Sequence, residues 1–222
     1  MRIPQKTGHK GSLKWIQKLI NEHPAVINRA IANQLRLKLE NIHWLSPLLQ
    51  DNFSEYRDED FLSILGLSRF SGKLKQLWPR SGPQWDALGR AGEGGPFFLV
   101  EAKANIPEIT SSMQASSNTS ITLIRKSLNK TANYLSRPYS DLWENGFYQY
   151  VNRLAHLYFL RQVCGLDIYL VFLYFIGDFT HLPTSREQWE GALELQKSLL
   201  GLKRNKLGKY IAEVYINIVD IQ

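Results

Sequence analysis

The sequence predicts a mixed α/β domain, on three observations. Amphipathic helical periodicity dominates the first 40 residues, two strand-like stretches joined by a glycine-rich turn occupy the middle, and a continuous apolar run follows a long helical segment. At 222 residues the chain is long enough for one generous domain and short for two. Its 44% hydrophobic and 21% charged content excludes a disordered or fibrous chain.

Between Ser12 and about Leu39, apolar residues recur at helical spacing (Leu13, Ile16, Leu19, Ile20, then Val26, Ile27, Ala30, Ile31). Pro24 disfavours a helical residue before it, so two helices broken near His23 are expected. Residues 1–45 then form an N-terminal helical extension, and 46–222 the main globular unit. A third helix spans Asp58 to Leu65, with Asp58 as N-cap and Gly66 past its end. Gln84 to Arg90 and Phe97 to Ala104 read as strands around Ala91-Gly92-Glu93-Gly94-Gly95-Pro96. The serine-rich stretch Ser111 to Ser120 reads as a loop. Helices follow from about Thr119 to Leu135 and from about Leu142 to Val163. Ile168 to Ile176 is apolar throughout, as a strand covered on both faces would be. Thr184 with Glu187 resembles a capping box for a helix ending near Gly201, and Tyr210 to Ile221 alternates as a last strand.

Charge narrows the partner. Twenty-seven basic against 20 acidic residues leave +7, which favours a polyanion, nucleic acid above all. The excess is mildly concentrated in Lys6–Lys18 and Lys197–Lys209. The single Cys164 has no partner for an internal disulfide, which fits a reducing, cytoplasmic compartment. The longest apolar stretch, Ile168 to Ile176, is too short for a membrane helix of ~20 residues. A soluble protein without a membrane partner is expected. A homodimer and any protein partner stay open.

The chemistry concentrates on the hairpin. A turn centred between Glu93 and Gly94 sets Asp86 opposite Glu101, and opposed like charges are destabilising. Glu101 and Lys103 share a face with Phe97 and Leu99, while Phe98, Val100 and Ala102 form the other. Two partly buried carboxylates beside an ammonium persist when they are paired or bind a metal. Mg²⁺ or Mn²⁺ held by Asp86 and Glu101, with the Ala102 carbonyl as a further ligand, would supply a nucleophilic water and stabilise charge on a phosphodiester. Lys103 would orient or help deprotonate that water and offset phosphate charge.

Asp86, a gap of fourteen residues, then Glu101-Ala102-Lys103 resembles the Asp-Xn-Glu-X-Lys signature of the PD-(D/E)XK nuclease superfamily. The wording Trp78-Pro79-Arg80, Trp85-Asp86-Ala87-Leu88 and Val100-Glu101-Ala102-Lys103 is similar to a group of bacterial members. The proline of the name stands at Pro83, three positions before the aspartate instead of next to it. The resemblance covers roughly Asp58 to Asp178. It implies a restriction-endonuclease-like αβββαβ core with a mixed sheet flanked by helices, a divalent metal and cleavage of nucleic acid, DNA foremost.

By the same resemblance, the helix after the ExK strand turns polar residues toward the site. Gln149, Asn152, Arg153 and His156 form one stripe, in which Gln149 would contact the metal-bound water or phosphate, and Arg153 and His156 would bind phosphate. An ordinary solvent face explains such a stripe equally well. The family also adds a carboxylate before the hairpin, here Glu55, Glu59 or Asp60, with Glu55 ahead. Acids at a helix start are favoured by the helix dipole alone. Arg125, Lys126 and Lys130 could meet backbone phosphates, or simply face solvent. Trp78 and Trp85 could stack on bases, or pack in the core. Two rival readings are a nucleic-acid-binding or scaffold module that does not cleave, and an enzyme for a small phosphorylated molecule. No nucleotide-cradling glycine loop supports the latter.

Overall fold

Helical periodicity with a proline in the middle gives two helices meeting at a corner. In the computed structural model, which describes residues 1–38 and 41–222, a short strand β1 (Arg2–Ile3) precedes α1 (Gly11–Glu22) and α2 (Pro24–Leu35). Pro24 opens α2, where a missing N–H costs nothing. Arg36 ends that helix in the left-handed region at φ 54°. The expected end at Leu39 lies outside the described residues. Next come β2 (Ile42–Ser46), β3 (Glu55–Tyr56), α3 (Asp58–Ile64), α4 (Ser71–Leu77), β4 (Ala87–Ala91) and β5 (Phe97–Lys103). The remainder is β6 (Ser111–Ser112), α5 (Asn118–Leu135), β7 (Asn145–Gly146), α6 (Tyr148–Tyr158), β8 (Ile168–Ile176), α7 (Arg186–Leu199) and β9 (Ile211–Asn217).

Five strands make the central sheet, in the order β2-β4-β5-β8-β9. The β2-β4 and β4-β5 pairs are antiparallel, and β5-β8 and β8-β9 are parallel. The parallel partners are joined by helices, which is why both faces of β5 and β8 are apolar. Phe98, Val100 and Ala102 pack on one face against Trp15, Ile16, Leu19 and Ile27 of α1 and α2. Leu99, Phe172 and Tyr174 pack on the other with Leu128, Leu154, Leu157 and Trp189 from α5, α6 and α7. The result is an α/β fold of three layers, with a mixed sheet between helices. No helix among the described residues is long and apolar enough to cross a membrane.

Several elements differ from the expected ones. The first 45 residues are not purely helical: they include most of the edge strand β2, which pairs with β4. The helix expected from Leu142 starts at Tyr148, because Asp141–Trp143 forms a 3-10 turn and Asn145–Gly146 pairs with Ser111–Ser112 instead. Asp58 does not cap α3; its carboxylate accepts the N–H groups of Ser81 and Gly82 at 3.2 and 2.9 Å. The capping box lies one residue later than Thr184, on Ser185 and Gln188, since the Thr184 carbonyl is taken by the Gly177 N–H at 3.0 Å.

The hairpin register is the expected one as far as Ala87, which faces Val100, with Leu88 facing Leu99. The Asp86 N–H then donates to the Val100 carbonyl at 3.1 Å, so Asp86 bulges out of the ladder instead of pairing with Glu101, and its carboxylate reaches β5 by accepting the Ala102 N–H at 2.6 Å. The turn depends on Gly95, where an added Cβ would lie 1.6 Å from the Ala91 carbonyl oxygen. That oxygen belongs to backbone and cannot swing aside. Gly95→Ala is therefore expected to cost about 1–3 kcal/mol, the usual range for forced overpacking. Urea unfolding should show a lower midpoint, and a midpoint equal to wild type would mean the turn is less constrained than this contact requires.

Candidate active site

Three carboxylates reach one cleft by different routes. Glu101 lies on the central strand β5, two residues from its end at Lys103. Asp86 precedes β4 and turns its carboxylate to the Ala102 N–H. Glu55 is delivered by β3, which pairs with β1 and is stitched to the hairpin by the Trp85 N–H donating to the Tyr56 carbonyl at 3.1 Å. All three line a cleft of about 800 Å³, together with Ala102, Lys103, Gln149 and Arg153. Glu55 is thus the acid brought to the site. Glu59 points elsewhere and pairs with Lys75 at 2.6 Å, and Asp60 lies 3.6 Å from the amino terminus.

Glu101 is almost fully buried, at 3% exposure, and its charge is matched on both oxygens. Lys103 Nζ sits 2.6 Å from Oε1, and Arg153 Nε donates to Oε2 at 2.7 Å. The remaining guanidinium nitrogens donate to the Gln84 carbonyl and to Asn152 Oδ1, both at 2.8 Å. Burial would push the Glu101 carboxyl up, but Arg153 and Lys103 outweigh it and hold it below the ordinary range. Lys103 Nζ also donates to Gln149 Oε1 at 2.8 Å. Burial would lower the Lys103 ammonium, yet Glu101 and Asp86 keep it raised, so it stays protonated. In the cation-free chain this makes Lys103 a hydrogen-bond donor and a positive charge beside Glu101.

Asp86 carries the opposite balance. Burial, then the charges of Glu101 and Glu55, push its carboxyl well up, despite the Ala102 N–H donating to Oδ2 at 2.6 Å. Burial likewise raises Glu55 to about 7, against a hydrogen bond from Gln84 and aided by Glu101. Lys103 offsets only part of the burden at Asp86, and Arg153 only part of that at Glu55; a divalent ion would relieve the rest. Strand geometry adds one more oxygen. Val100 turns its carbonyl toward β4 and Phe97 its N–H toward Asp167 at the start of β8, so alternation turns the backbone of Ala102 to the β4 side beyond the last ladder pair. Its N–H meets Asp86 there, and its carbonyl shares that edge. Asp86, Glu101 and the Ala102 carbonyl suit a cation such as Mg²⁺, which takes one or two carboxylates and keeps several waters. Among the described residues no three His, Cys, Asp or Glu side chains form a ready-made cage.

The polar stripe on α6 faces inward, against the solvent-face alternative, but not every member meets the cleft. Gln149 holds Lys103, and Ser111 fixes Gln149 by accepting its backbone N–H at 2.8 Å. Arg153, expected on phosphate, is committed to Glu101 and stacks 4.9 Å above the Trp85 ring centroid. His156, expected to donate to phosphate, is a core residue: it is 1% exposed, packs 4.9 Å from Trp78, and burial lowers it to about 3. Its Nδ1 bonds the Asn152 carbonyl at 2.8 Å. Arg125 forms a paired contact with Glu144, Nη2 to Oε2 at 2.8 Å, and Lys126 is exposed beside it on α5. Trp85 is fully buried and packs in the core, while Trp78, nearly buried against His156, also lines the cleft. The sequence carried no motif for Gln84 or Ser111, whose roles come from loops meeting in space.

Glu55 supplies a pH test with a definite sign. A carboxyl raised from 4.5 to about 7 in the folded chain stabilises it below pH ~4.5, and that contribution is lost as pH climbs through 7. In EDTA, wild type should lose up to about 3 kcal/mol relative to Glu55→Gln between those limits. Melting curves of the two proteins across pH 4–8 check this, and parallel curves would place Glu55 in water.

Set against protein-family models, curated proteins and solved structures, the chain matches none of them.

Proposed function

We propose that this chain is a metal-dependent nuclease of PD-(D/E)XK type, hydrolysing phosphodiester bonds in DNA with Mg²⁺ or Mn²⁺ held by Asp86, Glu101 and the Ala102 carbonyl, and Glu55 nearby. The observation that carries the reading is the convergence of Asp86 and Glu101 at the Ala102 backbone, with Lys103 two residues on, in one cleft. Repelling carboxylates at partial burial are costly unless a ligand uses them. The strand order also supports a restriction-endonuclease-like core. Three antiparallel neighbours β2, β4 and β5 are followed by helices and by β8 parallel to β5, as an αβββαβ arrangement requires.

A bound divalent ion would polarise the phosphate and lower the pKa of an attacking water. The chain's own residues supply the rest. Lys103 stays protonated between Glu101 and Gln149, where it offsets charge growing on phosphate oxygens and fixes a donor for the incoming water. Arg153 holds Glu101 in place from below, and Gln84 joins that arginine to Glu55. One observation favours the rival reading of a binding or scaffold module without cleavage: both Glu101 oxygens already accept from cations. A carboxylate has about four acceptor positions, so such pairing leaves room for a metal.

Mn²⁺ should raise the melting temperature of wild type, by about 2.7 kcal/mol of linkage at a hundredfold excess over Kd. Asp86→Asn should abolish that response and cleavage together. Lys103→Ala should retain the Mn²⁺ response, because Glu101 keeps Arg153, while its cleavage rate falls roughly 10²–10⁴-fold. A wild type that binds DNA and RNA well in Mn²⁺ but cuts neither establishes the binding module instead.

A further inference from the structure

Between Glu108 and Asp141 the chain carries no acidic residue, and Gly201 to Tyr210 carries none either. The fold joins these two stretches. The first lines the cleft with Ser111, Ser117 and Ser120, then continues as α5. At the far end of α5, Arg137 Nη2 donates to the Arg204 carbonyl at 2.5 Å, and Lys206 Nζ lies 5.5 Å from the Tyr134 ring centroid. One cationic ridge therefore begins at the cleft and ends at the loop before β9.

The outward face of α5 shows what the ridge is for. Its exposed positions are Thr122, Arg125, Lys126, Asn129, Lys130 and Asn133, spaced three and four apart. Every one is a hydrogen-bond donor and none is a carboxylate. Helix α7 is the internal contrast, because its exposed face mixes Arg186, Glu187, Glu190 and Glu194 and closes an Arg186–Glu190 pair at 2.9 Å. An ordinary solvated face looks like α7. On the ridge, Arg125 is paired with Glu144 and Lys203 with Glu194. Lys126, Lys130, Lys206 and Lys209 pair with no carboxylate among the described residues.

We propose that this ridge, α5 with the 203–209 loop, is a docking track for the phosphate backbone of a nucleic acid whose reacting end lies in the cleft. The inference rests on the nuclease reading for the cleft and adds the substrate's extent. Eighteen helical residues span about 27 Å, or roughly eight nucleotide steps of 3.4 Å. Lys, Asn and Thr side chains are the common phosphate contacts. The face lacks the exposed apolar residues that a membrane-surface helix inserts, so nucleic acid is the better fit to its chemistry.

The test is fluorescence anisotropy in EDTA across a salt series, with a ~20-base-pair duplex and the matching single strand, in DNA and RNA forms. Three variants are compared, each removing two positive charges: Lys126→Ala/Lys130→Ala, Lys206→Ala/Lys209→Ala, and a control on the opposite helical layer, Lys18→Ala/Arg29→Ala. The four ridge side chains are exposed, so melting temperatures should match wild type. Each ridge pair should weaken duplex binding about tenfold near 50 mM salt and lower the slope of log K against log salt by about 2. The control should do neither. The ridge is overturned if its variants bind like wild type, or if wild type ignores every nucleic acid. Binding only to vesicles rich in anionic phospholipid would overturn it too and make the face a membrane contact. The two readings fail separately: ridge-dependent binding without Mn²⁺-dependent cleavage removes the nuclease alone, and cleavage with an unchanged KM in ridge variants removes the track alone.

Discussion

Glu101 needs a positive charge wherever the chain folds, and that need organises the centre of the molecule. Its strand is the middle of the sheet, so the carboxylate cannot reach bulk water. Removing one partner of such a buried pair commonly costs about 3–5 kcal/mol. Arg153 meets the need from α6, and its other nitrogens then fix Gln84 and Asn152. Lys103 meets the other oxygen and is itself held by Gln149, one turn earlier on the same helix. A single buried anion thereby sets the depth and rotation of α6 against β5, and with them the width of the cleft.

The same constraint separates the three acids chemically. Glu101 is satisfied and stays charged, while Asp86 and Glu55 feel its field with only partial relief from Lys103 and Arg153. A divalent ion of the kind proposed for this cleft would have to displace protons from those two carboxyls. Affinity for such an ion should then rise with pH, since the ligands must shed protons to bind.

Much of this was legible in the chain. The apolar run at Ile168–Ile176 marks β8 to the residue, and the glycine turn sets the register of β4 on β5 up to the Ala87–Val100 pair, beyond which Asp86 bulges toward Ala102. Those signals are local, so one stretch of sequence contains them. β2 was missed because Ile42-His43-Trp44-Leu45-Ser46 is a short edge strand, with little to distinguish it from a linker. The role of His156 was misjudged because helical spacing groups it with Gln149 and Arg153 but cannot show that Phe61, Trp78 and Trp85 enclose it. Arg153 looked free for phosphate because its partner is 52 residues away. Long-range pairing of charges has no periodicity to betray it.

The cleft wall between β5 and α6 is thin by comparison with the rest. The two-residue ladder of Ser111–Ser112 with Asn145–Gly146, one bridge to Phe147, the Met113 N–H on the Glu144 carbonyl and the Gln149 N–H on the Ser111 hydroxyl tie the serine segment to the start of α6. A ladder of two residue pairs is short, so its opening free energy should be a small fraction of the global value. Amide protons of that clasp should exchange with solvent long before those of β5 or β8. The entrance can therefore breathe while Glu101 stays anchored on the central strand β5.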